Sequence, residues 1–514
     1  MTVCFAAPDG YAGPRRSLVL AGGGMRVAYQ AGVLQALSEA GLVFQHADGT
    51  SGGTINLAML MSGLSPNEMV ARWRSLDPKG FIGLLPLDDY LRGPDGPAMG
   101  SADGVVGKVF PHLGIDIDAI NAATGVVGTF NLCNFSSKTV ATLEHTALDR
   151  DLLVAGISLP LFMPAVRKNG AWYTDAVWIK DANLSEAVAR GADEIWVVWC
   201  IGNTGRYHDG AFRQYVHMIE MSANGALFAE LAQIAALNAR IAAGEEIAGR
   251  AGPIVVHMIK PDFPLPLDPD YLLGRIDAAT LISLGYGDAK RYLATRHPDG
   301  VTLNPGVTSM QEETLGLTFR EVMTGGFALG ETDPAAGVTQ GTAAGTKLAL
   351  HATVLIDDLD RFLAEPDHPG RLAGSIDFAP FGGTCTGSTG VFNLFNPSGQ
   401  PDLKLMVYEL GFSHGGRDYY LAGQKDVRND SVLQMWRQTT TLYTTLHAGT
   451  DKSGPVVGAG VLSLGMTDLI AMLGTVHATN STSTAQQADA IARFGRFFLG
   501  QLWDSYGGHL LRAG

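Results

Sequence analysis

Three short stretches of the chain hold residues that could do chemistry together. In Gly49-Thr50-Ser51-Gly52-Gly53 a serine stands among small residues, and the largely apolar Thr54 to Met61 follows it. Small residues at Gly49 and Gly53 permit a tight strand-to-helix turn, which lifts the Ser51 hydroxyl clear of a sheet and sets it at a helix N-terminus. In a chain with 65 glycines the G-x-S-x-G form arises readily by chance, so its context has to carry the argument. The second stretch is Gly22-Gly23-Gly24-Met25-Arg26, between an apolar strand and a helical segment. Backbone N–H groups there lack helical partners and can face an anion, which suits an oxyanion hole. A dinucleotide fingerprint would want a small residue where Val27 stands and an acidic ribose partner, for which only Asp48 is at hand. No P-loop lysine is present. The third stretch, Tyr173-Thr174-Asp175-Ala176, follows the proline-punctuated apolar run Ile157 to Pro164 and puts an acid in a turn.

Rival chemistries fare worse. His46 precedes Ser51 on the strand entering the turn, a place inside the sheet and below the nucleophile, so a histidine triad is disfavoured. Gly383-Thr384-Cys385-Thr386-Gly387 imitates the serine motif with a thiol but sits in a β-rich region with no helix after it. Asp357, Asp358 and Asp360 lack calcium-loop spacing, which reads as a solvated turn, so neither a metal nor a cofactor is implied.

The elements that would position these residues follow from pattern. From Ser17 to about Arg296, short apolar runs alternate with helical periods, the mark of α/β units on a mostly parallel sheet. Strands are predicted at Ser17 to Ala21, Ile195 to Cys200 and Ile254 to Ile259. Leu227, Leu231, Ile234 and Ile241 mark a core helix, and a last helix follows Asp277. A Pro-, Gly- and Thr-rich linker is expected over 297–313. Beyond it, Lys347 to Ile356, Gly370 to Phe378, Gly390 to Phe395, Leu403 to Phe412 and Tyr419 to Lys425 read as strands of a β-rich, sandwich-like domain over 314–514, closed by a terminal helix. The apolar Phe81-Ile82-Gly83-Leu84-Leu85-Pro86-Leu87 reads as core, with a lid or a lipid contact as its functional alternative.

Composition narrows the partners. The 514 residues are 46% hydrophobic and 17% charged, enough for more than one core. With 36 Lys+Arg against 50 Asp+Glu, the net charge of −14 disfavours a broad grip on nucleic acid or on an anionic membrane, so any peripheral membrane contact should be apolar or local. The stretch before Arg16 does not read as a secretory signal, and no apolar run reaches the ~18 residues of a bilayer span. Four scattered cysteines fit a reducing, cytoplasmic setting.

Taken in order, the G-G-G-x-R loop, the G-x-S-x-G elbow and the distant Asp-Gly-Ala-like turn resemble the patatin-like phospholipase family, over 16–296. The resemblance implies a three-layer α/β/α domain and a Ser51–Asp175 dyad without histidine. It also implies oxyanion donors from the amides of Gly22, Gly23 and Gly24, with Arg26 supporting the loop or meeting a phosphate. The substrate would be a lipid ester. Two positions depart from the family pattern: Ala176 stands where glycine is usual after the aspartate, and Val27 where the loop usually ends in glycine. If these spoiled the site, the alternative is a lipid-binding or scaffolding protein. In the second domain, Gly390 to Phe395, Tyr420 to Lys425 and Thr439 to Leu442 resemble a β-rich region attached to some cholesterol-oxidase-like flavoenzymes, which implies lipid or steroid binding.

Overall fold

A computed structural model of the chain describes residues 2–92, 95–247, 250, 252–312, 314–400, 403–428 and 439–510. It divides into two compact units, 1–312 and 313–514.

The first unit is built on an eight-stranded sheet: β1 (Arg16–Leu20), β2 (His46–Thr50), β3 (Val127–Asn134), β4 (Thr139–Glu144), β5 (Val166–Lys168), β6 (Ala171–Asp175), β7 (Glu194–Val198) and β8 (Val255–Ile259). Its order is β5-β6-β3-β2-β1-β7-β8, with β4 added on β3. The run from β3 to β8 is parallel, while β4, β5 and β6 join antiparallel. Side chains of β1 alternate between two cores, as the pleat requires. Leu18 and Leu20 pack with α1 (Ala28–Glu39) and the helix Ala278–Thr295 on one face. Val19 and Ala21 pack with Leu184–Ala189 and the long helix Ala211–Ala242 on the other. Apolar residues on both sides of a parallel strand are why helices must cover both faces, giving three layers.

The stretch expected as a linker, 297–313, packs instead on this unit over 297–312: Val301, Leu303, Val307 and Met310 lie against the second core, and Val301 N–H donates to the Val256 carbonyl at 2.8 Å. Its prolines and glycines shape turns over an apolar surface, and its last residue, Glu313, lies outside the described residues. Val3 and Phe5, ahead of the expected boundary at 16, are also buried in the first core, with Phe5 edge-on to Phe44.

The second unit is β-rich, but it closes into a barrel where a sandwich was expected. Its strands are β9 (Gly316–Leu329), β10 (Lys347–Ile356), β11 (Pro369–Phe378), β12 (Gly383–Pro397), β13 (Leu403–His414), β14 (Arg417–Arg428), β15 (Thr441–Ala448) and β16 (Val456–Ser463), with the short β17 (His477–Thr479) beside β9. Neighbours pair antiparallel throughout, and β9 pairs with both β10 and β16, so eight strands form a ring. Fourteen residues let β9 serve two partners, Leu317 to Gly326 facing β10 and Thr324 to Leu329 facing β16. Closure pairs each of these eight strands on both sides, which protects edges that could otherwise template aggregation. Alternate residues point inward, among them Phe319, Met323, Leu350, Val354 and Phe392, and Phe494, Phe497 and Phe498 of the helix Thr484–Leu510 pack on this core. A charged pair is buried inside: Lys425 Nζ lies 3.3 Å from Glu321 Oε2, and the Tyr408 hydroxyl donates to Glu321 Oε1 at 2.6 Å.

Candidate active site

Ser51 occupies the turn between β2 and the helix α2 (Gly52–Met61), with φ 52° and ψ −128°. Only a tight elbow forces a non-glycine residue there, at a cost of about 1–3 kcal/mol, and surrounding contacts must hold it. Gly53 supplies one such contact: a side chain there would run into the Leu20 and Ala21 carbonyls, so the helix start and the end of β1 meet only because Gly53 has none. Gly49 faces Gly53 and Leu57 as closely as an added methyl would allow.

A buried polar network supports the elbow from below. Asp48 accepts hydrogen bonds from Thr129 and Asn131, each at 2.6 Å, and Asn131 also reaches Thr50. Asn183 caps the helix Leu184–Ala189 and donates to Asn131 at 2.8 Å. His46 is buried between Ser17 and Thr129, and burial lowers its pKa to about 3. It belongs to this network, below the nucleophile.

Asp175 ends β6. Its amide donates to the Ser158 carbonyl, and its Oδ1 accepts Val177 N–H at 2.9 Å. Oδ2 is buried with no hydrogen-bond partner. Burial pushes the carboxyl up to about 7, against the opposing pull of the Ser51 hydroxyl and the Val177 amide. The Ser51 hydroxyl is thus near enough to act on the carboxyl electrostatically, without a hydrogen bond of normal geometry to Oδ2. Ala176 is fully buried and its φ is not positive, so alanine fits where glycine is usual. Val27, also fully buried, has φ −66° and fills space beside Gly23 and Gly52.

The glycine loop is clamped at three points. Gly22 N–H donates to both carboxyl oxygens of Asp181 at 3.1 Å, the Gly23 carbonyl accepts Arg26 Nε at 2.9 Å, and Met25 N–H donates to Asp268 at 3.0 Å. Gly24 has φ 59°, a left-handed turn suited to glycine, and Asp268 occupies the place of a side chain. Gly22 is thereby committed and lies outside the cavity wall, a correction to the expectation that its amide faces an oxyanion. Gly23 and Gly24 do line the cavity. Arg26 is buried at 9% exposure and also lines it.

That cavity, of about 470 Å³, brings Ser51 and Asp175 into one wall, a size within the ordinary range for small-molecule sites. Most of its lining is apolar, including Ile55, Phe81, Leu84, Ile157, Phe162 and Ile219. The Phe81 to Leu87 stretch is wall and rim rather than core: Ile82, Leu84 and Leu87 are 51%, 75% and 74% exposed. Sequence patterning gave no sign of Phe212, Tyr215 and Glu220, which reach the cavity from the first turns of Ala211–Ala242. The later turns of that helix carry the apolar period that marks it as core. Cys385, by contrast, is buried within β12, away from any helix start. Asp357 pairs with Arg371 and Asp358 caps a helix, as a turn requires. Among the described residues, no helix is long and apolar enough to cross a membrane.

A mixed sheet between two helical layers, a strained serine elbow and a glycine loop beside it define a class, and comparison with known proteins gives it a name. Residues 18–188 match the patatin-like phospholipase family, so the chain carries a patatin-like domain that includes Ser51 and Asp175. A 79-residue stretch is 40% identical to an uncharacterized NTE family protein of Mycobacterium tuberculosis (strain CDC 1551 / Oshkosh), covering 15% of this chain and 13% of that protein.

Proposed function

We propose that the protein is a serine lipid acyl hydrolase working through an acyl-enzyme on a Ser51–Asp175 dyad. The observation that carries this is the meeting of a strained, cavity-facing serine with a buried, half-partnered carboxyl in one apolar wall. The patatin-like domain and the NTE family relative support lipid acyl hydrolysis in general. In the first step Ser51 Oγ bonds to the acyl carbon while its proton passes to Asp175, and the carbonyl oxygen gathers charge. Gly23 and Gly24 N–H take that charge. The carbon–oxygen bond to the leaving alcohol then breaks, and the alcohol receives the proton from Asp175. Water repeats the sequence and frees the acid. A base near 7 suits this work at neutral pH, since it is ionised often enough to act and basic enough to accept. The apolar cavity and its exposed rim suit an acyl chain delivered from a lipid surface, with Arg26 in reach of an ester or phosphate oxygen.

The test is hydrolysis of a short-chain nitrophenyl ester and of phosphatidylcholine by the native protein, Ser51→Ala and Asp175→Asn. Both variants should lose at least ~100-fold in kcat, and the native rate should rise with pH through about 7 as Asp175 ionises. The ratio of the two substrates then says whether phospholipid is the target. An inactive, folded native protein would instead make this a lipid-binding module.

A further inference from the structure

We propose that Asp181 is a positioning residue for the oxyanion loop and a proton switch on it: as a neutral acid it holds the Gly22 amide, and on ionisation it turns the site off. This rests on the hydrolase reading above and deepens it by assigning regulation to the same site.

Geometry carries the proposal. Asp181 is fully buried in the loop before Leu184–Ala189, outside the cavity wall, and both its oxygens share one donor, Gly22 N–H. Its Oδ1 lies against the Cα of Gly22 on the side where a side chain would also meet Ser51 Cβ at 2.9 Å. An ionised carboxylate there would be a buried charge with a single hydrogen-bond donor and, among the described residues, no ion pair, an arrangement folded proteins avoid. A neutral carboxyl needs far less.

The clamp has a direction. In a trans peptide the C=O and the following N–H point opposite ways. Arg26 on the Gly23 carbonyl therefore turns Gly24 N–H the other way, and Asp181 on Gly22 N–H, with Asp268 on Met25 N–H, leaves Gly23 and Gly24 as the loop amides without partners among the described residues. The titratable groups facing Asp181 are Asp175 at the end of β6, Arg26 beside the glycines of the loop and the Cys200 thiol beyond β7. Burial first and Asp175 second push its carboxyl up to about 8, opposed by the Gly22 amide and Arg26. Ionisation above that pH places a second negative charge beside Asp175 and the developing oxyanion. Activity should then fall.

The experiment compares the full-length native chain with Asp181→Asn and Asp181→Ala. Nitrophenyl ester hydrolysis is followed across pH 5 to 10, and carboxyl C=O infrared bands are recorded over the same range. The native rate should rise through about 7 and fall above about 8. Asparagine keeps an acceptor for Gly22 and never ionises, so its variant should keep the rise and lose the fall. Alanine leaves Gly22 N–H unheld, and kcat should drop roughly 100-fold with KM little changed. In the native-minus-Asn infrared difference, a protonated carboxyl band should vanish near pH 8. A profile for Asp181→Asn that overlays the native one, or a native difference spectrum with no protonated band at pH 7, overturns the proposal. The infrared arm does not need turnover: a native protein inert to esters and to a serine-reactive phosphonate sinks the Ser51 reading, while the band still decides the state of Asp181.

Discussion

At the scale of single residues, Ser51 trades stability for a place in the cavity wall. Its φ of 52° with ψ −128° lies where glycine is at ease and serine is not. Ser51→Gly should therefore unfold at higher denaturant than Ser51→Ala, by about 1 kcal/mol after allowing for the added freedom of glycine in the unfolded chain. Both should be inactive. Urea titration of the two variants checks this, and equal midpoints would mean that the elbow is unstrained. Ser51, Asp175 and the glycine loop stand out in the sequence because they are local strings. The partner of each loop amide does not: Asp181 and Asp268 reach Gly22 and Met25 from distant segments, and that choice of partner keeps Gly22 out of the cavity wall.

Among the elements, legibility follows how local the pairing is. Strands β10, β11, β13, β14 and the second half of β12 were readable because apolar residues such as Leu348, Leu350, Val354 or Leu403, Leu405, Val407 alternate within a short window. β9, β15 and β16 were not, since Gly325-Gly326, the threonines of 441–445 and Gly458 and Gly460 blur the alternation. Barrel closure joins β9 to β16, ends of the domain that no local window spans. The buried Lys425 and Glu321 sit on two of these strands, where each neutralises the other. Lys425→Met should destabilise the barrel by about 3–5 kcal/mol, because Glu321 would stay buried without its counter-charge. Adding Glu321→Gln should restore most of that loss. A double-mutant cycle by chemical denaturation reads the coupling, and additive losses would mean that the pair is not coupled.

For the whole chain, the buried acids of the first unit set a pH dependence whose sign can be worked out. Burial raises Asp48 and Asp175 to about 7 and Asp181 to about 8, so the folded state keeps protons that the unfolded chain, with carboxyls near 4, has released. Each contributes stability that is present at low pH and lost as pH rises through its folded value. Two buried histidines pull the other way: His46 is lowered to about 3 and His257 to about 4, so their contribution grows as pH rises towards ~6.5 and is constant above it. The terms compete below about 6.5, and above it the carboxyls act alone. Unfolding of the first unit, followed by fluorescence of the buried Trp196 and Trp199, should therefore need less urea at pH 8 than at pH 6.5. Asp181→Asn should flatten part of that slope, because it removes the group that titrates last. A midpoint that rises over this interval would mean that these acids are ionised throughout, and with it the case for a near-neutral base at Asp175 would go.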